Sequence, residues 1–440
     1  MKLSGWGRYP AIDTDFVAPR DDAELIGIVA SGCSIAHGNG RAYGDSAVSP
    51  ETTIHMRHFN HFLAFDRDAG LITVEAGVLL ADVIKVCLPH GWFPPVTPGT
   101  KFVTVGGMIA ADVHGKNHHC HGSFRNFIDW LDLLCEDGTI RRCSRNENCE
   151  LFNWTIGGMG LTGIVLRAAF RLRAIETGWI RQQTHVAANI DDAIDRFDTT
   201  LDSTYSVAWI DCLSNGPSLG RSLITLGEHA TTGDLGEHKL TFPTTSAGRK
   251  QTALNFDFPN WVLNSFSIRA FNELYFQKGR RGPKQDLVTW DTYFYPLDSI
   301  LGWNRIYGRR GFAQYQCAIP LDQARAGLRA LLECISTSKA SSFLAVLKRL
   351  GPQTGNFSFP LEGFTLALDF PISTKSMKLM DQLDEITAAH KGRINLAKDS
   401  RMSPTMLART DRRASDFEAY RKAENLHRTF ASSQSMRLRI

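Results

Sequence analysis

The chain has 440 residues, of which 43% are hydrophobic and 21% charged, and its formal net charge is +4. That length exceeds what one hydrophobic core usually holds, so at least two domains are expected, in an ordinary globular composition. The charge balance is too even to indicate a nucleic-acid partner. Nine cysteines without a Cys-x-x-Cys pair argue against a disulfide framework or a zinc ribbon, and favour a reducing, cytoplasmic compartment. Met1 to Trp6 holds no apolar stretch of signal-peptide length, and no run is long enough to span a bilayer. No internal repeat or low-complexity segment is visible.

In chain order, Asp21 or Asp22 caps a short helix through Ile28, and a strand then leads into the first glycine-rich stretch. That stretch is Ala36, His37, Gly38, Asn39, Gly40, Arg41, Ala42, Tyr43, Gly44, Asp45 and Ser46. Three glycines so close together suit neither helix nor strand, but they can turn backbone N–H groups toward one anion. The alternative is a tight turn. No P-loop and no dinucleotide fingerprint is present. Phe62–Phe65 and Leu71–Val74 read as strands about a turn at 66–70. Leu79, Leu80, Val83, Ile84, Cys87 and Leu88 mark one helix face, which Gly91 ends. A second cradle follows at Pro98-Gly99-Thr100 and Thr104-Val105-Gly106-Gly107, where a short helix over Met108–Val113 would point its N-terminus at a phosphate. Asp137-Gly138 signals a hairpin, and a third cradle at Gly157–Gly163 precedes a strand over Ile164–Leu172. Residues 1–175 therefore read as an α+β unit bearing one long phosphate-containing ligand.

His114, His118, His119, Cys120 and His121 invite a metal reading, but Gly115 disfavours the helix that would converge His114 and His118. Polar lining of a ligand cleft is the reading adopted, with no metal, and surface histidines are the plain alternative. Beyond residue 176, Ser214–Ala253 and the basic run Gln277–Gln285 read as mobile loops. A β-α-β-β-α-β order follows: Gly311–Ile319, a helix from Pro320 to Ile335, Phe343–Leu347, Phe364–Phe370, a helix capped by Ser373, and Arg393–Leu396. Alternation puts Phe364, Leu366, Leu368 and Phe370 on a buried face, with Thr365, Ala367 and Asp369 opposite. Gln314 and Gln316 likewise share a face opposite Tyr315, Cys317 and Ile319. Those amides either satisfy one another or line a sugar-sized cleft.

Together these residues carry a resemblance to a family. Gly5-Trp-Gly-Arg8, Gly38-Asn-Gly-Arg-Ala-Tyr-Gly-Asp45, Thr104-Val-Gly-Gly107, Asp112-Val-His-Gly-Lys-Asn-His-His119, Gly160-Leu-Thr-Gly-Ile164, Gln314-Tyr-Gln316, Asp369-Phe-Pro371 and Ala397-Lys-Asp-Ser-Arg401 run in order along the whole chain. The pattern resembles the FAD-dependent vanillyl-alcohol oxidase and p-cresol methylhydroxylase superfamily, and within it the decaprenylphosphoryl-β-D-ribose 2′-oxidases. The resemblance implies an α+β fold with a two-part FAD-binding domain of the p-cresol methylhydroxylase type (1–175 and 393–440) and an α+β cap domain with an antiparallel sheet (176–392).

It implies FAD held by the cradles together with Ala111, His114, Gly115, Asn117, His118, Ile164 and Asn395. Arg41 stands where other members attach the flavin through histidine, which implies a non-covalent cofactor. The substrate would be a polyprenyl-phosphate-linked ribose, met by Gln314, Gln316, Lys348 and Ala367 and oxidised at its 2′-hydroxyl. Lys398 and His114 are the candidates for moving the proton and stabilising developing charge. A separate NAD(P)H-dependent keto-reductase would complete epimerisation to the arabinose donor, with peripheral contact at the inner face of the membrane. Actinobacterial members of the family carry cysteine and tyrosine where this chain has Ala367 and Asn395. The alternatives are a flavin sugar oxidase of the aldonolactone or alditol type, a metal-dependent hydrolase, and a non-catalytic flavin- or lipid-binding protein.

Overall fold

A computed structural model describes residues 1–236, 240–243, 252–259, 262–338 and 342–440. Asp21 accepts a hydrogen bond from the Glu24 N–H (2.9 Å) and so caps the helix Asp22–Ser31. Ser34–His37 then lies parallel to Thr52–His55, which also pairs with Asp15–Val17. Phe62–Asp66 and Leu71–Glu75 form the expected pair. They belong to a five-stranded antiparallel sheet with Ile164–Arg171, Ile128–Leu134 and Ile140–Ser144. The helix Leu80–Cys87 buries Leu80, Val83, Ile84 and Cys87 against this sheet, and the left-handed Gly91 (φ +76°) ends the turn that follows it. The helix expected over Met108–Val113 instead spans Val105–Ala110, because the Thr104 side chain caps it by accepting from the Gly107 N–H.

The second part of the chain is built on one sheet. Its strands are β1 (Trp179–Ala187), β2 (Tyr205–Ile210), β3 (Ser222–His229), β4 (Gln285–Thr289), β5 (Phe312–Pro320), β6 (Ala345–Leu350), β7 (Gly363–Pro371) and β8 (Arg393–Ile394). Among the described residues their order is β4-β1-β3-β2-β6-β7-β5-β8, antiparallel at every pair. The long helices are α1 (Ile190–Thr199) and α2 (Ser265–Arg281) in the first half, α3 (Ala324–Ser338) and α4 (Thr374–Ala389) in the second. Each half therefore runs β-α-β-β-α-β with the strand order 4-1-3-2, and the halves join where β2 meets β6. The sequence shows no such repeat. The repetition is of topology, which many apolar sequences satisfy.

Two loop expectations are corrected. Within 214–253, β3 occupies Ser222–His229, and Gln277–Arg281 is the last turn of α2. Both faces of β3 are covered, so it lacks the alternation that marks a half-exposed strand. Gly279 makes the end of α2 look like a loop. It is there because a Cβ would lie 2.2 Å from the Leu223 side chain. Residues 237–239 and 244–251 of the first segment lie outside the described residues.

The apolar face of β5 and β7 packs under α3 and α4 through Tyr315, Cys317, Leu366, Leu368, Leu331 and Leu383. The opposite face carries Gln314, Gln316, Thr365, Ala367, Asp369 and Lys348, which the strand register sets side by side. After β8 the chain packs back on its first part: the Ala431 N–H donates to the Ser34 carbonyl (3.2 Å), and Arg437 pairs with Asp45 (2.9 Å).

Candidate active site

The first glycine loop is gripped from two sides. The Trp6 N–H donates to the Ala42 carbonyl (2.7 Å), and the Gly7 N–H to that of Tyr43 (3.0 Å). On the other side the Tyr43 N–H donates to the Ala397 carbonyl (3.1 Å). A Cβ on Gly44 would sit 2.1 Å from the Asp399 carbonyl oxygen, and one on Gly38 would sit 2.3 Å from Thr104 Oγ1. Only glycine permits either approach. Three remote motifs thus meet at one loop.

That loop keeps its donors free. Among the described residues, no protein group accepts from the N–H groups of Gly38, Asn39, Gly40, Arg41 or Ala42. The Arg41 guanidinium lies 3.9 Å over the Trp6 ring, and its Nε is buried without a partner. Thr97 Oγ1, His114 Nδ1 and Asn117 Oδ1 are likewise buried and unpartnered among the described residues. A Cβ on Gly99 would meet nothing within 4 Å. Free backbone donors, a stacked arginine and a trail of unsatisfied polar atoms fit an elongated phosphate-bearing cofactor such as FAD.

The other two cradles act differently. The N–H groups of Val105 and Gly106 donate to the carbonyls of Val78 and Ala76, and Gly107 donates to Thr104 Oγ1. In the third cradle Gly157, Gly158, Met159 and Leu161 donate to Ile109, Thr155, Ala110 and Gly158. The N–H groups named here are all given to protein oxygens, and these glycines serve to bring backbones close.

A directed hydrogen-bond chain lines the cleft between the two parts. Asn395 Oδ1 accepts from the Ala397 N–H (3.0 Å), which turns its Nδ2 to donate to Gln316 Oε1 (2.9 Å). Gln316 Nε2 then donates to Thr365 Oγ1 (3.1 Å) and faces His114 Nε2 (3.3 Å). With Gln316 oriented in this way, His114 Nε2 is the acceptor and its proton sits on Nδ1. Burial and the neighbouring Lys348, His118 and Lys398 push the His114 pKa well down, so the ring is neutral.

Beside it, Asp369 is wholly buried, accepts from Gln314 Nε2 (2.6 Å) and meets the Tyr307 hydroxyl (3.4 Å). Burial raises this carboxyl to about 7 against the pull of its donors. Lys398 is half-buried, with Nζ 3.7 Å over the Tyr43 ring. Burial lowers its pKa to about 7; Asp369 opposes that shift and Lys348 adds to it. Asp399 does not pair with Lys398. It accepts from the N–H groups of Arg401 and Met402 and pairs with Arg437 (2.9 Å). An amine near neutrality and a neutral imidazole in one cleft are suited to proton transfer at ordinary pH.

The remaining expected residues are distributed more widely. Ala36 and His37 lie in the strand before the loop, and His37 Nδ1 bonds the Ala47 carbonyl (2.7 Å). Asn39 donates to the Phe102 carbonyl (2.8 Å), and Ser46 is buried. Ala111 caps the helix that Thr104 opens. A Cβ on Gly115 would lie 2.6 Å from Asn117 Oδ1. Both His118 nitrogens are engaged, Nε2 by Gln353 Oε1 (2.9 Å) and Nδ1 by the Gly351 N–H (3.1 Å). The Ile164 side chain packs in a separate core with Leu25 and Phe430. Gln314, Gln316, Lys348, Ala367 and Asn395 do share the cleft face. The sequence reading assigned no role to Asp369 or Thr365, although strand alternation had placed both beside Ala367. It passed over Tyr307 and Arg437, for which no local pattern exists.

Comparison with known proteins adds to this geometry. Residues 16–144 match the FAD binding domain family. Decaprenylphosphoryl-beta-D-ribose oxidase of Mycolicibacterium smegmatis is 34% identical, over 100% of this chain and 97% of its own. An uncharacterized protein of Streptomyces coelicolor is 32% identical, over 82% of this chain and 100% of its own. L-gulonolactone oxidase of Mus musculus is 29% identical over only 35% of this chain and 36% of its own.

Proposed function

The chain belongs to the decaprenylphosphoryl-β-D-ribose oxidase family of FAD-dependent oxidoreductases, and from that premise we propose that it oxidises the 2′-hydroxyl of a polyprenyl-phosphoryl-β-D-ribose to the ketone. When bound, FAD supplies the two-electron acceptor. Gly38–Ala42, Arg41 among them, would hold its phosphates, and the flavin would carry no covalent link, since a guanidinium has no nucleophilic nitrogen at neutral pH and His37 Nδ1 is held by the Ala47 carbonyl. If so, acid precipitation releases all the yellow colour, and colour left in the pellet contradicts it. Gln314 and Gln316 bind the sugar. His114 Nε2, the acceptor that Gln316 holds in place, takes the hydroxyl proton, and Lys398 as an ammonium donates a hydrogen bond that orients the sugar hydroxyl. In its charged form Lys398 also stabilises negative charge that builds in the cleft.

The observation that carries this reading is the convergence of Lys398, His114, Gln316 and Asp369 beside a loop whose donors are free. A 2′-keto product needs a separate nicotinamide-dependent reductase to become the arabinose epimer. A polyprenyl substrate also calls for peripheral contact with a membrane, at its inner face. No described helix is long and apolar enough to cross one. In support of contact, α2 exposes Phe266 (82%) and Leu274 (72%) beside Arg269, Lys278, Arg280 and Arg281. Borohydride trapping after turnover with farnesylphosphoryl ribose tests the position of oxidation: ribose and arabinose should both appear, whereas xylose would place the ketone at C3′.

A further inference from the structure

Lys116 and Lys348 have no place in the proton chemistry, and both stand in the cleft. Lys348 projects from β6 on the same face as Gln316, beside Thr365 in the register. It is close enough to depress the pKa values of His114, Lys116, His118 and Lys398 together. Lys116 Nζ lies 4.2 Å from the Tyr293 ring centre and donates to the Tyr293 carbonyl. Among the described residues no carboxylate lies within salt-bridge distance of Lys116, Lys348 or Lys398.

Asp369 is the carboxylate that raises Lys398, and none acts on Lys116 or Lys348. Burial lowers Lys116 to about 7 and Lys348 to about 8. Clustered cations withdrawn from water without counter-charge are unfavourable, and a fold that keeps them there is complementary to an anion.

We propose that Lys348 and Lys116 form the subsite for the phosphoryl group of the substrate, leaving Lys398 to the sugar. The inference rests on the polyprenyl-phosphoryl ribose reading given above. Lys348 supplies the central charge. Lys116 supplies two further N–H donors once its third is given to Tyr293, and the aromatic rings of Tyr293 and Phe294 keep water from weakening the pair. The FAD phosphates are met elsewhere, at Gly38–Ala42, so the anion here is a separate one.

The test uses holoenzyme carrying Lys348→Gln, Lys116→Gln or both. Flavin reduction is compared between farnesylphosphoryl-β-D-ribose and the uncharged octyl β-D-riboside. A charged hydrogen bond contributes roughly 10- to 100-fold. The ratio of kcat/KM for the phosphoryl over the neutral substrate should fall by that factor in each single variant, and further in the double. Independently of turnover, farnesyl phosphate should raise the melting temperature of the wild-type holoenzyme and not that of the variants. An unchanged ratio, an unchanged farnesyl phosphate shift, or loss of flavin from the single variants would overturn the assignment. If the wild type is not reduced by farnesylphosphoryl ribose, the function fails; the farnesyl phosphate shift then judges the lysines alone.

Discussion

Lys398 carries the charge on which the proposed reaction depends. Its neighbour Asp399 is the obvious partner in sequence, yet Asp399 is held by Arg437 and by backbone donors, so the ammonium is left to the cleft. Lys398→Met should fold and remain yellow, because the glycine loop is untouched, and lose roughly 10²–10³-fold in the rate of flavin reduction. Near-normal reduction would remove it from the mechanism. The pH dependence follows from the same geometry. With its pKa lowered to about 7, Lys398 is charged below that pH and loses the charge as pH rises through it, so the rate should fall on the alkaline side. Asp369 opposes the lowering. Asp369→Asn should therefore shift the alkaline limb to lower pH, and a limb that stays in place would show that the carboxylate does not act on Lys398.

At the scale of elements, periodicity served well where one face is buried and poorly elsewhere. The helix Leu80–Cys87 and the strands β5 and β7 were readable from their apolar repeats, as was the polar face carrying Gln314, Gln316 and Asp369. Ser222–His229 was not, being covered on both faces. The glycine stretches looked alike in sequence and differ in the fold, because a glycine count cannot tell a donor nest from a close approach. Among the described residues the N–H groups from Gly38 to Ala42 have no protein acceptor, whereas those of Val105–Gly107 and Gly157–Met159 are given to the protein. The basic run that reads as a loop in sequence is the end of helix α2, and the proposed membrane contact gives its exposed Phe266 and Leu274 a role. Phe266→Ser with Leu274→Ser should cut sedimentation with anionic, substrate-loaded liposomes by about tenfold or more, since each large side chain is worth roughly 1.5–3 kcal/mol when fully buried. Sedimentation equal to the wild type would place the membrane contact elsewhere.

For the whole molecule, the decisive features are long-range. The loop at 38–46 is shaped by Gly7 on one side and by Ala397 and Asp399 on the other, and the cleft is closed by a sheet made of two topologically equivalent halves. Motif order along the chain indicated the family and its cofactor. Which atoms meet was not legible, because the His114, Gln316 and Asn395 relay exists only once three distant segments pack. The proposed reaction is oxidation of a phosphoryl-linked ribose in this cleft through bound FAD. The most direct measurement is the visible spectrum of the anaerobic holoenzyme mixed with farnesylphosphoryl-β-D-ribose. The oxidised-flavin absorption should disappear with that substrate and persist with free ribose or L-gulonolactone. Persistence with the phosphoryl ribose, and bleaching by the lactone instead, would make the protein an aldonolactone-type oxidase.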